Sequence, residues 1–553
     1  MTDLIIVNGT VLTMDPARPR AGAVAITGNT IAAIGTRAEI MALHTDGTRV
    51  IDARGGTVLP GLIEAHMHLF SGAVELDQLS LHGVQGFAAL SDKVRAYAAA
   101  NLEDALLIAQ AADYTILGNR EPVTRQHLDR ILPGRPFLMF APDHHTAWAN
   151  TIALERCGIL RGAELGVGNE IVVDAYGLAT GELREGEAIS PVFELTDKGL
   201  RHRLGLATGG DPVPPATPAE RETDKRALQR GLAHLARHGI TSFHNMDGNP
   251  YQLSLLAELD AEGKLTARGK IPFHFKNFME LDELEVASGM ASRFTTEKLS
   301  SGFVKVFVDG VIDSSTAFLL ADYADQPGGN CDPLFTPEHF ARVAVEADRR
   351  GLQIAVHAIG DGAVRMVLDG YEAAAKANGL RDLRHRIEHI ELVHPDDIPR
   401  FKTLGVVASM QPPHAPGMAG LPLEPTVSRI GKARWPYAYA WRTLREAGAR
   451  MTFGTDWPVS PIAPMLAIEC AVTRGIWAPG MPEQRQTLVE TLASYTQDSA
   501  WVEHMEHRKG QLRQGMLADV TVLSGDIEAI DPADIHTLTA AATVCDGKVV
   551  FEG

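Results

Sequence analysis

Two histidines one residue apart, His66 and His68 in the stretch VLPGLIEAHMHLF, open the chemistry of this chain. Successive side chains of a β-strand point to opposite faces, so positions i and i+2 aim into the same space and can offer two nitrogens to one cation. Histidines also serve as hydrogen-bonded polar groups at strand ends, so the pair alone decides little. Ionisable residues recur, however, at the ends of later β-prone runs: Lys305 in FVKVFVDG, His357 in QIAVHAIGD, His389 in HRIEHIEL and Asp456 in RMTFGTDW. Imidazoles, a carboxylate and a lysine gathered in one place suit a metal-assisted hydrolytic site.

To gather them, the chain must set those runs side by side with one end in common. Residues 57–63, ahead of the histidine pair, are apolar and broken only by Pro60 and Gly61, as in a buried strand with a bend. GITSFHNM, IPFHFKNF and GVVASMQP complete a set of eight runs, with helical stretches such as ALQRGLAHLARH and FARVAVEADRR between them. This alternation predicts an α/β fold, a (β/α)8 TIM barrel. Along FVKVFVDG, Lys305, Phe307 and Asp309 face away from Val304, Val306 and Val308, so the lysine can point into the barrel. Along MTFGTDW, Thr452, Gly454 and Asp456 share a face, and the small residues are expected to leave room for a metal below the carboxylate.

Residues 1–58 read as short strands, with Asn8-Gly9 and Gly28-Asn29 placed as hairpin turns, and residues 508–553 repeat the style in ADVTVLSG and TVCDGKVVFEG. Both ends are expected to form one small β-sandwich domain, leaving 59–507 to the barrel. The gap from about residue 69 to 239 is too long for one crossover. A large insertion after the first barrel strand is therefore expected, a lid subdomain at about 110–220, at the face where barrels keep their active sites. The stretch DPVPPATP at 211–218 reads as a linker leaving it.

The 553 residues carry 51 Lys and Arg against 69 Asp and Glu, a formal net charge of -18, which argues against nucleic acid or an anionic membrane as the principal partner. Cys157, Cys331, Cys470 and Cys545 are far apart and read as reduced residues. No run reaches the roughly 18 apolar residues of a membrane span, and the N-terminus has no secretory pattern, so a cytoplasmic location is expected. A small-molecule substrate is the expected partner, with a homodimer as the default assembly.

The motifs PGLIEAHMH, HTAWAN, TGELRE, VKVFVDG, HAIGD, RIEH, MQP and GTDWPV, with the C-terminal GQLRQGMLADVTVL, occur in an order that resembles the amidohydrolase superfamily. The resemblance is to amidohydrolase family 3, the branch that includes N-substituted formamide deformylases, and it runs over essentially the whole chain. It implies that His66 and His68 bind one divalent metal with Asp456, that His357 and His389 bind a second, and that Lys305 bridges the two as a carbamate formed with CO2. It implies zinc, with manganese or iron as alternatives. Asp456 would also take a proton from the attacking water and pass it to the leaving amine. His145, Trp148 and Asn150 of HTAWAN, with Gln411 and Trp457 beside strand ends, are expected to touch substrate. His244 reads as a core histidine, and Glu388, on the opposite face from His389, as a support for a ligand.

The expected activity is hydrolysis of a C–N bond in an N-acyl or N-formyl amide. Deamination or opening of a cyclic amide is the alternative within the superfamily, disfavoured by Lys305 and by Asp361, which stands where mononuclear deaminases carry glutamate. A metal-free scaffold is the remote alternative. The chain departs from the family in Asp313-Ser314-Ser315-Thr316, where Gly-Ser-Arg-Thr is common, and in His144, where glycine is common.

Overall fold

The computed structural model describes residues 2–118, 121–166, 168–196 and 199–553. Eight strands follow one another around a wall: β1 (Leu62–Met67), β2 (Ile240–Asn245), β3 (Arg268–Lys270, resuming at Phe273–His274), β4 (Phe303–Phe307), β5 (Gln353–Ala358), β6 (Arg386–His389), β7 (Val407–Met410) and β8 (Met451–Phe453). All their mutual pairings are parallel, β3 using its first half toward β2 and its second toward β4. The interruption falls at Pro272, which has no N–H to give to a ladder. Just past β8 the chain meets β1 again. Met67 and Trp457 form a parallel bridge, the Asp456 N–H donates to the His66 carbonyl at 2.8 Å, and the His68 N–H donates to the Trp457 carbonyl at 2.7 Å. The wall is thereby closed, and its interior holds inward-facing side chains.

Helices between the strands cover the outside. Helix α1 (Pro337–Arg349) starts with Thr336 as N-cap and Pro337 in its first turn, and buries Phe340, Val343, Ala344 and Ala347, which share one face. It packs on α2 (Asp361–Asn378) and on β5. No helix among the described residues is long and apolar enough to cross a membrane.

The two ends of the chain meet in a pair of sheets. One holds Leu4–Val7, Ala23–Thr27, Thr30–Gly35 and Arg49–Asp52; the other joins Thr10–Leu12, Arg20–Ala21 and Thr57–Pro60 to Val520–Leu523, Ala540–Cys545 and Lys548–Glu552. Between them lies an apolar cluster that includes Ile6, Val24, Val58, Val520 and Val544. Arg268 at the start of β3 ties this unit to the barrel through Asp519 at 2.7 Å and Asp546 at 2.9 Å. Gly28-Asn29 is a hairpin turn, its flanking strands pairing antiparallel. Asn8-Gly9 is not, because Leu4–Val7 and Thr10–Leu12 lie in different sheets and the turn, with Asn8 at φ +61°, carries the chain from one to the other.

The run expected as the first barrel strand is divided in the same way. Thr57–Pro60 pairs with Val520–Leu523 in the terminal sheet, and β1 begins only at Leu62. Gly61 is the joint, since a Cβ there would lie 2.1 Å from Thr241 Oγ1 on β2. Between β1 and β2 stands a third sheet of six strands, from Leu79–Ser80 to Ala179–Arg184. It starts earlier than the expected residue 110, because Leu79, Leu90 and Val94 already share an apolar cluster with Leu107 and Phe137. The Pro-rich stretch that follows is pinned, Asp211 accepting from the Tyr251 N–H at 2.8 Å.

Gly61→Ala is expected to destabilise the fold by about 1–3 kcal/mol, the usual cost of overpacking. Adding Thr241→Ala, which removes the colliding hydroxyl, is expected to recover part of that loss. Denaturant melts of the single and double variants check this, and an unchanged Gly61→Ala would deny the joint its role.

Candidate metal centre

The ends of β1 and β8 bring three side chains to one point. His66 Nδ1 lies 2.6 Å from Glu388 Oε2 and His68 Nδ1 lies 2.9 Å from Asp247 Oδ1. An ionised carboxylate only accepts, so each Nδ1 carries the proton and each Nε2 is the ring atom left to face the centre. Those Nε2 atoms stand 3.3 Å and 3.2 Å from Asp456 Oδ1. Bonds of about 2.0–2.1 Å in a tetrahedral zinc site place neighbouring ligand atoms about 3.3 Å apart. Asp456 Oδ1 is buried and, among the described residues, has no hydrogen-bond partner. An orphaned carboxylate oxygen between two imidazoles, each fixed by a further carboxylate, fits a divalent cation.

A second group adjoins the first. One ligand atom each from His389, His414 and Asp456 lie within 4.8 Å of one another, as do those of His66, His68 and Asp456. His389 Nδ1 and His414 Nε2 are also buried without partners among the described residues. The position of His389 depends on backbone strain. In the parallel register Glu388 stands beside His357 and faces inward with it, so alternation would send His389 outward. Instead His389 takes φ +74° and Ile390 φ +49°. The left-handed turn returns the ring to 4.5 Å from that of His357 and 4.8 Å from that of His66. Asp456 is likewise at φ +60°. Such conformations cost about 1–3 kcal/mol each and persist where the surroundings impose them.

Burial sets the charges. It would push the Asp456 carboxyl up, but His66 and His68 outweigh it and hold the group well below the usual carboxylate range. Burial likewise opposes the charge on Glu388, which Arg386 and His66 overcome, keeping it ionised. His68 is pulled down by burial and raised more by the neighbouring carboxylates of Asp247 and Asp456, to about 9. A cation at Nε2 would displace that proton.

Above this floor lies a cavity of about 1080 Å³, lined by barrel loops and by the insertion, including His144, His145, Glu185 and Arg203. His145 Nδ1 lies 2.7 Å from Glu185 Oε2, so the HTAWAN and TGELRE segments meet here.

A model of the amidohydrolase family matches residues 49–551. The chain belongs to that family. It is 30% identical to Protein LONG AFTER FAR-RED 3 of Arabidopsis thaliana, over 100% of this chain and 92% of the relative. It is 26% identical to the N-substituted formamide deformylase of Arthrobacter pascens, over 100% and 99%. Among solved structures, an uncharacterized metal-dependent hydrolase from Pyrococcus furiosus aligns with a TM-score of 0.67 at 26% identity, covering 96% of this chain and 99% of that one.

Within this amidohydrolase the expected residues fall into three sets. His66, His68, His389 and Asp456 converge, and His145 and His357 line the same cavity. His357 Nε2 donates to the Gly310 carbonyl at 3.0 Å, and His414 stands beside His389. Lys305 is fully buried but does not line the cavity; its Nζ lies 4.7 Å from the centre of the Phe307 ring and has no hydrogen-bond partner among the described residues.

Four expected substrate contacts are not at the cavity wall. Trp148 packs against Tyr114, ring centres 5.5 Å apart, inside an apolar cluster of the inserted sheet. Asn150 caps a helix, accepting from the Phe137 and Ala153 N–H groups and donating to the Leu132 and Arg135 carbonyls, which uses its whole amide. Trp457 is buried behind the closing seam, 5.6 Å from the ring of His234. Gln411 is buried as well. The space expected beside Gly454 is also taken: a Cβ there would meet Glu64 Oε1 at 2.5 Å. Glu64 accepts from the Thr455 N–H at 2.6 Å, and burial pushes its carboxyl up to about 8. His244 is a core residue held by Arg386, and Glu388 supports His66 as expected.

Sequence reasoning missed His414, Asp247 and His274. His414 follows the MQP motif by two residues, and Asp247 follows GITSFHNM directly. His274 lies within the expected run IPFHFKNF and ends β3, pairs in register with Lys305 and has both ring nitrogens without partners among the described residues. Asp247→Asn is expected to keep the fold and weaken metal binding about 10–100-fold, the usual effect of losing a ligand's support. Competition with a chromophoric chelator measures it, and an unchanged affinity would show that His68 needs no such anchor.

Proposed function

We propose that this amidohydrolase is a metal-dependent enzyme that cleaves the C–N bond of a non-peptide amide, most simply an N-acyl or N-formyl amide. What supports it is the convergence of two carboxylate-fixed imidazoles on the orphaned Asp456 oxygen, at the floor of a cavity roofed by an insertion. Zinc suits this nitrogen and oxygen set, and His389 and His414 offer further imidazoles beside Asp456 for a second cation, with His357 next to His389. When bound, such a metal supplies Lewis acidity and makes water a nucleophile at neutral pH.

The side chains do the rest. Asp456, kept ionised at the floor, accepts the proton of the attacking water and gives it to the leaving nitrogen. Water thus adds to the acyl carbon, the C–N bond breaks, and acid and amine depart. His145, oriented by Glu185, is the donor for the acyl oxygen. Lys305, as a carbamate, would supply an anionic oxygen ligand to the metals in this proposal. Burial lowers its amine to about 8, so part of it is the neutral form that attacks CO2, forming an N–C bond and releasing a proton.

Purified protein is expected to carry divalent metal, to release amine from N-formyl and N-acyl amides when loaded with zinc or manganese, and to lose that turnover on chelation. Metal-free protein with full turnover would sink the proposal. Lys305→Met is expected to fold, to lose one equivalent of metal and to fall about a hundredfold or more in kcat, with partial rescue by short carboxylic acids. Wild-type metal content and rate in that variant would make the lysine structural.

A further inference from the structure

We propose that the cavity selects amides bearing a carboxylate beside the scissile bond, and that Arg203 of the insertion holds that carboxylate. The proposal rests on the hydrolase reading above and names its substrate class. Arg203 lines the cavity, with its guanidinium 4.5 Å from the ring centre of Phe193 and 5.5 Å from that of Phe140. The two rings pack beside its guanidinium carbon. Among the described residues it makes no ion pair or hydrogen bond through that group. Its neighbour Arg201 is engaged by Asp224 at 2.7 Å and Glu220 at 2.9 Å. Lys276, which also lines the cavity, donates to the Leu206 carbonyl at 3.0 Å.

The charges around Arg203 do not neutralise it. The acids it feels are Glu75 and Asp247. Burial pushes Glu75 up to about 8, so it is largely protonated at neutral pH, and Asp247 is engaged by His68. Arg203 is half-buried, and a guanidinium in such a pocket without a protein partner suits a carboxylate, which can satisfy it with two parallel hydrogen bonds. Elsewhere the cavity is lined by Asp113, Asp143, Asp313 and Glu391. Burial together with repulsion from Asp143 raises Asp313 to about 6. A substrate anion is repelled by the ionised acids on that side, while Arg203 is the guanidinium of the lining that has no partner among the described residues, so the cavity fixes which way the amide enters.

The test uses N-formyl-phenylalanine and succinanilate, with the carboxylate on the amine and acyl sides respectively, each against its neutral carboxamide. Wild-type protein as purified with metal is expected to use at least one anion with a kcat/KM tenfold or more above that of its neutral twin. Arg203→Met, which keeps the length of the side chain, is expected to lower kcat/KM for that anion tenfold or more and for the twin less than threefold. Arg203→Lys is expected to keep part of the preference. Calorimetric binding of phenylacetate against phenylacetamide gives a readout without turnover: a tenfold or greater preference for the anion in the wild type, gone in Arg203→Met. Equal use of anion and twin in both wild-type pairs overturns the proposal, and this holds even if Arg203→Met does not fold. A preference that survives Arg203→Met also overturns it, by giving the anion to the metal. If no amide is cleaved, the hydrolase reading fails while the binding comparison still decides the role of Arg203.

Discussion

The hydrogen bonds that close the barrel also assemble its chemistry. Because the Asp456 N–H reaches the His66 carbonyl and the His68 N–H reaches the Trp457 carbonyl, the ligand residues of the first and last strands are neighbours in one ladder. Their side chains therefore meet without any loop having to find its place. Loss of that seam would open the sheet and separate Asp456 from both histidines, so fold closure and ligand geometry are one constraint. Gly61 belongs to it too, since the chain must leave the terminal sheet and enter β1 within one residue, directly against Thr241.

A floor so dense in ionisable groups is stable only because the charges are arranged in pairs. Arg386 donates to Glu388, to the Ala65 carbonyl and to Ser409, and Glu388 in turn fixes His66. Beneath, Glu64 accepts from backbone N–H groups, and the small Gly454 lets it fit. Asp456 Oδ1 and nitrogens of His389 and His414 stay unpaired where a cation fits. Buried polar atoms of a stable core mostly find partners. Clustered exceptions mark the place where the protein alone is not the whole structure.

The parts of this arrangement that follow a strict period were legible in the sequence. The i, i+2 spacing of His66 and His68, the inward face of Lys305 and the succession of eight runs all rest on alternation, and alternation holds through β1 and β4. It fails where the backbone turns left-handed. At His389 the chain puts both Glu388 and the histidine to use, which no period-two pattern predicts. The insertion was the least legible part. HTAWAN looked like substrate chemistry, yet within it Trp148 fills an apolar cluster and Asn150 caps a helix, because a short strand buried on both faces needs its tryptophan and amide for folding. Only His145, at the strand's open end, remains for the cavity. The supporting acids Asp247 and Glu185 were illegible for a different reason: a residue that acts by holding another is recognised only once the two are seen together.

The floor and the roof of the cavity therefore evolve under different constraints. The inserted sheet buries its own apolar clusters on its two faces, separate from the barrel core, so its stability does not depend on the substrate it covers. It touches the barrel through polar contacts at its rim, as when Thr316 Oγ1 donates to Glu185 Oε1 at 2.8 Å. That contact falls in the segment where this chain departs from its family. Ser315 replaces a common arginine, and its hydroxyl accepts from Arg429, so a guanidinium reaches the same loop from a different helix, while Asp313 accepts from Thr426. Through Asp313 this loop presents a carboxylate to the cavity. A hydrolase can thus hold its metal ligands fixed in the closing seam and alter what it accepts by exchanging side chains at this rim, without disturbing either core.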